Sequence, residues 1–341
     1  MIENILPLTE KLISIPSVTG EERLILEELE SVFTSNSWKF ERLPFQPNRW
    51  NLLVRFGAPE ILFTTHIDVV PASEGMFKPR WDGEKLIGRG ACDAKGIAAT
   101  MIAVCKELSQ RGETNFGLLL VVDEEMGGAG ARSAAEQLKN QGVRFLINGE
   151  PTEGKLYKAH KGALALSLTF TGKACHSGYP ELGDDANKKM IEVAHTLLNT
   201  DFGVDEVLGK STINLAMVSG GLSLGTISPS ATLKISIRTV TDNAQVLEKV
   251  KSLSQGATIQ TIYDSPTIKL HTVPGLETAI GSYSTDVPNF RALNATPLLY
   301  GPGSIHVAHT EHEFITKSQI QTAFTDYLTI FDSLKHQTIR D

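Results

Sequence analysis

The sequence has 341 residues, of which 41% are hydrophobic and 21% charged, and carries a net charge of −7. That length suits about two domains with a sizeable core, and an acidic balance without any run of Lys or Arg excludes a nucleic-acid surface. Three cysteines (Cys92, Cys105, Cys175) are too few for a disulfide framework, and acidic residues stand where a signal peptide needs positive charge. No eighteen apolar residues run together, so a cytoplasmic protein with no membrane contact is expected.

In chain order, helical spacing covers residues 3–14 and 21–34, the second stretch opening on a cap-like Thr19-Gly20-Glu21-Glu22. Residues 50–56 and 60–70 read as strands around a tight Gly57-Ala58-Pro59 connection, and a helix follows Gly96 to about Leu108. The apolar run 116–123 suits a strand buried on both faces, followed by a helix (130–142) and a strand (143–149). This alternation predicts a three-layer α/β domain with a largely parallel sheet. From about residue 162 the order becomes β-α-β-β-α-β, that of a ferredoxin-like sandwich. After about residue 269 the first pattern returns with a strand (296–301) and a last helix (318–334). The expected domains are therefore residues 1–160 with 270–341, and an inserted ferredoxin-like domain over 161–269.

Five segments carry chemistry. In Thr65-His66-Ile67-Asp68, strand alternation would turn His66 and Asp68 to one face, where a carboxylate can fix an imidazole ligand. An isolated pair of this kind would be an ordinary polar strand end. Gly88-Arg89-Gly90-Ala91-Cys92-Asp93-Ala94-Lys95-Gly96 puts one carboxylate among glycines before a helix, suited to bridging two metals or to capping. Asp123-Glu124-Glu125 ends a buried strand, where ligands bind in open α/β sheets, and three adjacent carboxylates repel unless a cation lies among them. Asn148-Gly149-Glu150-Pro151-Thr152 adds another carboxylate at a strand end. Gly301-Pro302-Gly303-Ser304 through Glu313 holds His306, His309 and His312 in one loop, and sequence alone does not choose among them. Each segment alone is a modest signal; together they make a sensible two-zinc ligand set.

This ordered set, with its inserted domain, resembles the M20 metallopeptidase family over essentially the whole chain. The late GPGSI…AHTEHEF segment most resembles the acetylornithine and acetylcitrulline deacetylase branch. The resemblance implies two Zn2+ ions, with Co2+ as an alternative, and assigns Asp93 as bridging ligand. His66 and Glu150 would complete one site, Glu125 and His309 the other. Glu124 would be the general base and Asp68 the partner of His66. His176, in a stretch like the family's AHSG, would reach a partner subunit's active site in a homodimer and steady the oxyanion. Arg238 matches the arginine that holds the substrate carboxylate, and Ser284-Thr285-Asp286 resembles the family's GTD.

Three positions depart from the family pattern. Gly225-Thr226 stands where many relatives have asparagine before the Ile-Pro segment, Asp185-Ala186 replaces Asn-Ala, and Cys175 replaces alanine before His176. Cys175 reads as a small buried residue, and His160, His195, His271, His306, His312 and His336 as structural or surface residues. The expected activity is removal of an acyl group from a small N-acyl amino acid, N-acetylornithine or N-acetylcitrulline, in arginine biosynthesis. The alternatives are a desuccinylase acting on succinyl-diaminopimelate, a dipeptidase, or a non-catalytic scaffold relative. A dinucleotide enzyme is set aside because no GxGxxG follows the early strands.

Overall fold

The computed structural model describes residues 2–337; residue 1 and residues 338–341, the outer ends of the expected first domain, lie outside the described residues. The chain divides into two compact units, Met1–Lys158 with Leu270–Ala279 and Thr285–Asp341, and Ala159–Lys269 with Ile280–Ser284. The expected boundaries were 160/161 and 269/270. Segment 280–284 joins the second unit because Gly281 O accepts from Lys161 N (2.9 Å) and Ser284 Oγ meets Arg238 Nη1 (3.5 Å).

In the first unit, helices α1 (Ile2–Ile13) and α2 (Arg23–Ser35) precede strands β1 (Phe40–Gln46), β2 (Arg49–Gly57) and β3 (Ile61–His66). Strands β4 (Arg80–Asp82) and β5 (Lys85–Ile87) lead into α3 (Lys95–Gln110), β6 (Asn115–Val121), α4 (Ala129–Gln137), β7 (Phe145–Asn148) and β8 (Leu156–His160). The main sheet has the order β1-β2-β6-β3-β7 followed by a late strand, Thr296–Leu299. From β6 onward all pairings are parallel, whereas β1, β2 and β6 pair antiparallel.

Alternation along the strands builds three layers. Leu52, Val54, Phe63, Phe116, Leu118 and Leu120 pack in one core with residues of α1, α2, α3 and the last helix; Leu53, Leu62, Leu119 and Val121 pack in another with Ala131 and Ala134 of α4. Fully burying each such large side chain contributes roughly 1.5–3 kcal/mol. Because the central strands run parallel, the carboxyl ends of β3, β6, β7 and the Thr296–Leu299 strand share one edge of the sheet. The loops leaving that edge carry four of the five chemistry-bearing segments, and the fifth leads into α3.

The second unit contains β9 (Gly162–Thr171), α5 (Ala186–Leu198), short strands β10 (Val204–Asp205) and β11 (Gly209–Lys210), β12 (Thr212–Gly220), β13 (Ser230–Thr239), α6 (Asn243–Leu253), β14 (Ala257–Ser265) and β15 (Ile268–Lys269). Its antiparallel sheet has the order β12-β13-β9-β14, which is the ferredoxin-like arrangement. Leu164, Leu166, Leu233 and Ile235 turn to Ala186 and Met190 of α5 and to Val246 and Val250 of α6. The alternate residues, among them Ser167, Thr169, Lys234, Ser236 and Arg238, occupy the face away from the helices and are only partly buried. After β16 (Thr278–Gly281) the chain returns to the main sheet as β17 (Thr296–Leu299), then forms β18 (Phe314–Thr316) against β5 and ends in α7 (Lys317–Leu334). Asp185 caps α5, accepting from Asn187 N at 2.9 Å, so the exchange of Asn for Asp at this position keeps a good N-cap. Among the described residues, no helix is long and apolar enough to cross a membrane.

Candidate active site

His66 is the last residue of β3 and is 1% exposed. Its Nδ1 lies 3.0 Å from Asp68 O and its Nε2 3.0 Å from Asp93 Oδ1. A carbonyl can only accept, so Nδ1 carries a proton, and Nε2 is the nitrogen aimed at the site.

Asp68 differs from its expected place. The strand stops at His66, so the alternation that would pair the two side chains does not extend to residue 68, and Asp68 Oδ1 stands 3.7 Å from His66 Nδ1. Its carboxylate instead accepts from Glu124 N and Glu125 N (3.2 Å each) and from the Thr19 hydroxyl (2.7 Å). Asp68 orients the imidazole with its main-chain oxygen and holds the Glu124–Glu125 backbone with its side chain.

That backbone is fixed from the other side too. Asp123 adopts a left-handed conformation (φ 75°) and accepts from Arg49 Nη2 at 2.7 Å and from Ala129 N at 3.3 Å. Arg49 also pairs with the fully buried Glu22. The cap-like Glu22 thus makes no side-chain cap for α2; its carboxylate serves Arg49 and Gly20 N.

Asp93 joins the remaining groups. Its Oδ1 meets His66, and its Oδ2 lies 3.3 Å from His309 Nε2, which is 2.9 Å from Glu125 Oε1. Three sets of donor atoms each fall within 4.8 Å of one another: His66, Asp93 and Glu150; Asp93, Glu125 and His309; and His66, Glu124 and Glu125. The first two sets share Asp93. Of the three late histidines only His309 enters them; His306 and His312 are exposed.

The electrostatics follow from crowding. Burial, then the charge of Glu150, raises the Glu124 carboxyl well above the usual carboxylate range, and burial does the same to Glu150. Hydrogen bonds to Asp93 and Glu125 push His309 up to about 10. For His66, burial disfavours the proton, but Asp93, Glu124 and Glu150 outweigh it and raise the imidazole well above its ordinary value. Asp286, 3% exposed, is pushed up to about 7, chiefly by burial, and its Oδ2 has no hydrogen-bond partner among the described residues. Imidazole nitrogens and carboxylate oxygens converging in overlapping triads, beside buried acids whose proton affinity is raised, are a donor set that divalent metal ions fit.

His176 and Arg238 belong to the second unit. Exposed His176 accepts from Gly178 N through Nδ1 at 3.1 Å, which leaves the proton of the neutral ring on Nε2. The segment with the Gly225-Thr226 departure runs beside it, Ser177 N donating to Gly225 O (2.9 Å) and Ile227 N to Cys175 O (3.0 Å). Cys175 is partly exposed rather than buried, since this loop lies at the surface, and its Sγ is 3.3 Å from Tyr179 O. Sequence reasoning read Thr19 and Glu22 only as part of a helix cap, and gave no role to Arg49, which lies outside every motif, nor to Glu313, which the late motif contains.

The family profile described as Peptidase family M20/M25/M40 matches residues 62–332. A Peptidase M20 domain-containing protein of Schizosaccharomyces pombe is 33% identical over 338 residues, covering 95% of this chain and 83% of that protein. A protein of Emericella nidulans named "Probable carboxypeptidase" is 31% identical, covering 94% and 87%; neither relative is named a deacetylase. The crystal structure of a tripeptidase from Staphylococcus aureus superposes with a TM-score of 0.82 at 18% identity, covering 99% of both chains, which shows a shared fold. By the extent of the profile match and the identity to these relatives, the chain belongs to the M20/M25/M40 peptidase family.

Proposed function

We propose that this enzyme cleaves the amide bond between a small acyl or aminoacyl group and an amino acid with a free α-carboxylate, using two metal ions. The observation that carries this reading is the pair of donor triads sharing Asp93, with the Glu124 carboxylate beside them. His66, Asp93 and Glu150 would hold one ion, and Asp93, Glu125 and His309 the other, zinc or cobalt in either place. When bound, such ions lower the pKa of water and polarise an amide carbonyl. Glu124, whose proton affinity is already raised, takes the proton of the attacking water and returns it to the leaving amine. His176, with its proton on Nε2, is suited to donate to the developing oxyanion from the partner subunit. Arg238 would hold the α-carboxylate through a bidentate contact.

A homodimer accords with β12, an edge strand with exposed Met217 and Val218, and with the exposed Ile191 of α5. Free Cys92, Cys105 and Cys175 accord with a reducing cytoplasm. Two substrate classes present the required bond. The late-motif resemblance favours N-acetylornithine or N-acetylcitrulline, as in arginine biosynthesis; the names of the fungal relative and the staphylococcal tripeptidase favour short peptides cut at one end.

The test is amine release from N-acetylornithine, N-acetylcitrulline, N-succinyl-diaminopimelate and a set of dipeptides, after chelation and after adding back zinc or cobalt. Metal-dependent turnover is expected, and the member turned over fastest assigns the substrate. A protein that takes up no metal and turns over nothing is a scaffold relative.

A further inference from the structure

Glu313 lies four residues beyond His309 and is 0% exposed. Its Oε1 accepts from both Cys92 N and Asp93 N at 3.1 Å, and its Oε2 pairs with the buried Arg89 guanidinium. Its own carbonyl accepts from Gly88 N at 3.1 Å. The loop from Gly88 to Asp93 is therefore wrapped around one carboxylate that belongs to a different loop, the one carrying His309. A buried carboxylate is costly unless its oxygens are satisfied, and here two amides and a guanidinium satisfy them.

The geometry points to Glu313 as a positioning residue that sets the separation of Asp93 from His309. Asp93 cannot move away from the His309 loop without giving up two amide bonds to Glu313. His309 sits on a short tether, held at φ 61°, before the same anchor. Of the two donor triads, only the one formed by Asp93, Glu125 and His309 draws on both loops. That set should depend on Glu313 more than the set formed by His66, Asp93 and Glu150. The inference rests on the two-metal reading above.

The test is titration of the metal-stripped full chain with Co2+, followed by its visible absorption, together with melting temperature, kcat and KM. Two double variants remove the buried charge pair alike. Arg89→Met with Glu313→Met leaves Cys92 N and Asp93 N without an acceptor, whereas Arg89→Met with Glu313→Gln returns an amide oxygen to them. The expected result is one of two cobalt steps weakened about 10–100-fold in the Met/Met variant. Its absorption should be altered and kcat lowered at similar KM, with most of this restored in the Met/Gln variant. If the Met/Met variant does not fold, Glu313→Asp, which keeps the charge but draws the oxygens back, takes its place with the same expectation. Wild-type cobalt binding in both doubles, or equal loss in both at equal stability, overturns the proposal. A wild-type chain that binds no cobalt overturns the two-metal reading itself, and the inference with it.

Discussion

His66 and Asp68 are two residues apart, and a continuing strand would present both to one face. Because β3 ends at His66, Asp68 instead reaches the backbone of Glu124 and Glu125. Residue types and order marked five segments where imidazoles and carboxylates gather, while the choice of His309 among three histidines came from the family resemblance. Their supports were not legible: Thr19, Arg49 and Glu313 act through contacts spanning 49, 74 and 220 residues or more, and no local spacing encodes such pairs. At this scale the decisive substitution is Glu124→Gln. It keeps shape and the donor triads through Asp93, so metal content should be unchanged while kcat falls by roughly 10²–10⁴. Metal analysis alongside steady-state kinetics checks this, and full turnover in the variant would remove Glu124 from proton transfer.

Elements were easier to read than their ends. The buried run at 116–123 and the β-α-β-β-α-β order of the insert follow from periodicity, and both are present. Strand β1 escaped notice because FERLPFQ mixes exposed polar positions with a single buried one, Leu43. It is an edge strand held by its hairpin with β2, so little of its pattern needs to be apolar. The last helix shows how an end is set: Thr316 accepts from Gln319 N, and the Gln319 side chain accepts from Thr316 N, a reciprocal capping box. Replacing Thr316 by Ala should lower unfolding free energy by about 1 kcal/mol, read as a lower urea midpoint at unchanged m-value. No change in the midpoint would show that packing of α7, not its cap, fixes the helix start.

For the molecule as a whole, acid sensitivity should come partly from His160. It is fully buried, and burial, aided by the charge of Arg238, lowers its proton affinity. With a folded pKa below the unfolded value of about 6.5, the unfolded chain takes up the proton more readily. This residue's share of stability is therefore complete above that value and declines as pH falls below it. Melts between pH 7.5 and 5 should flatten in His160→Gln relative to the parent; parallel curves would assign the acid loss to other groups.

The order of the strands also bears on synthesis. β7 stands at the margin of the main sheet until β17 pairs with it, and Phe63 and Phe116 lack the covering contact of Phe331 until α7 is made. Roughly 150 residues, mostly the insert, are translated between β7 and β17, which at about 5–20 residues per second takes on the order of 10–30 s. Through that interval the ribosome displays an apolar half-sheet whose closing pieces do not yet exist, and the strands β9 to β15 of the insert are all made before β17 appears. The nascent first unit is thus the part of this chain with the greatest need of a chaperone.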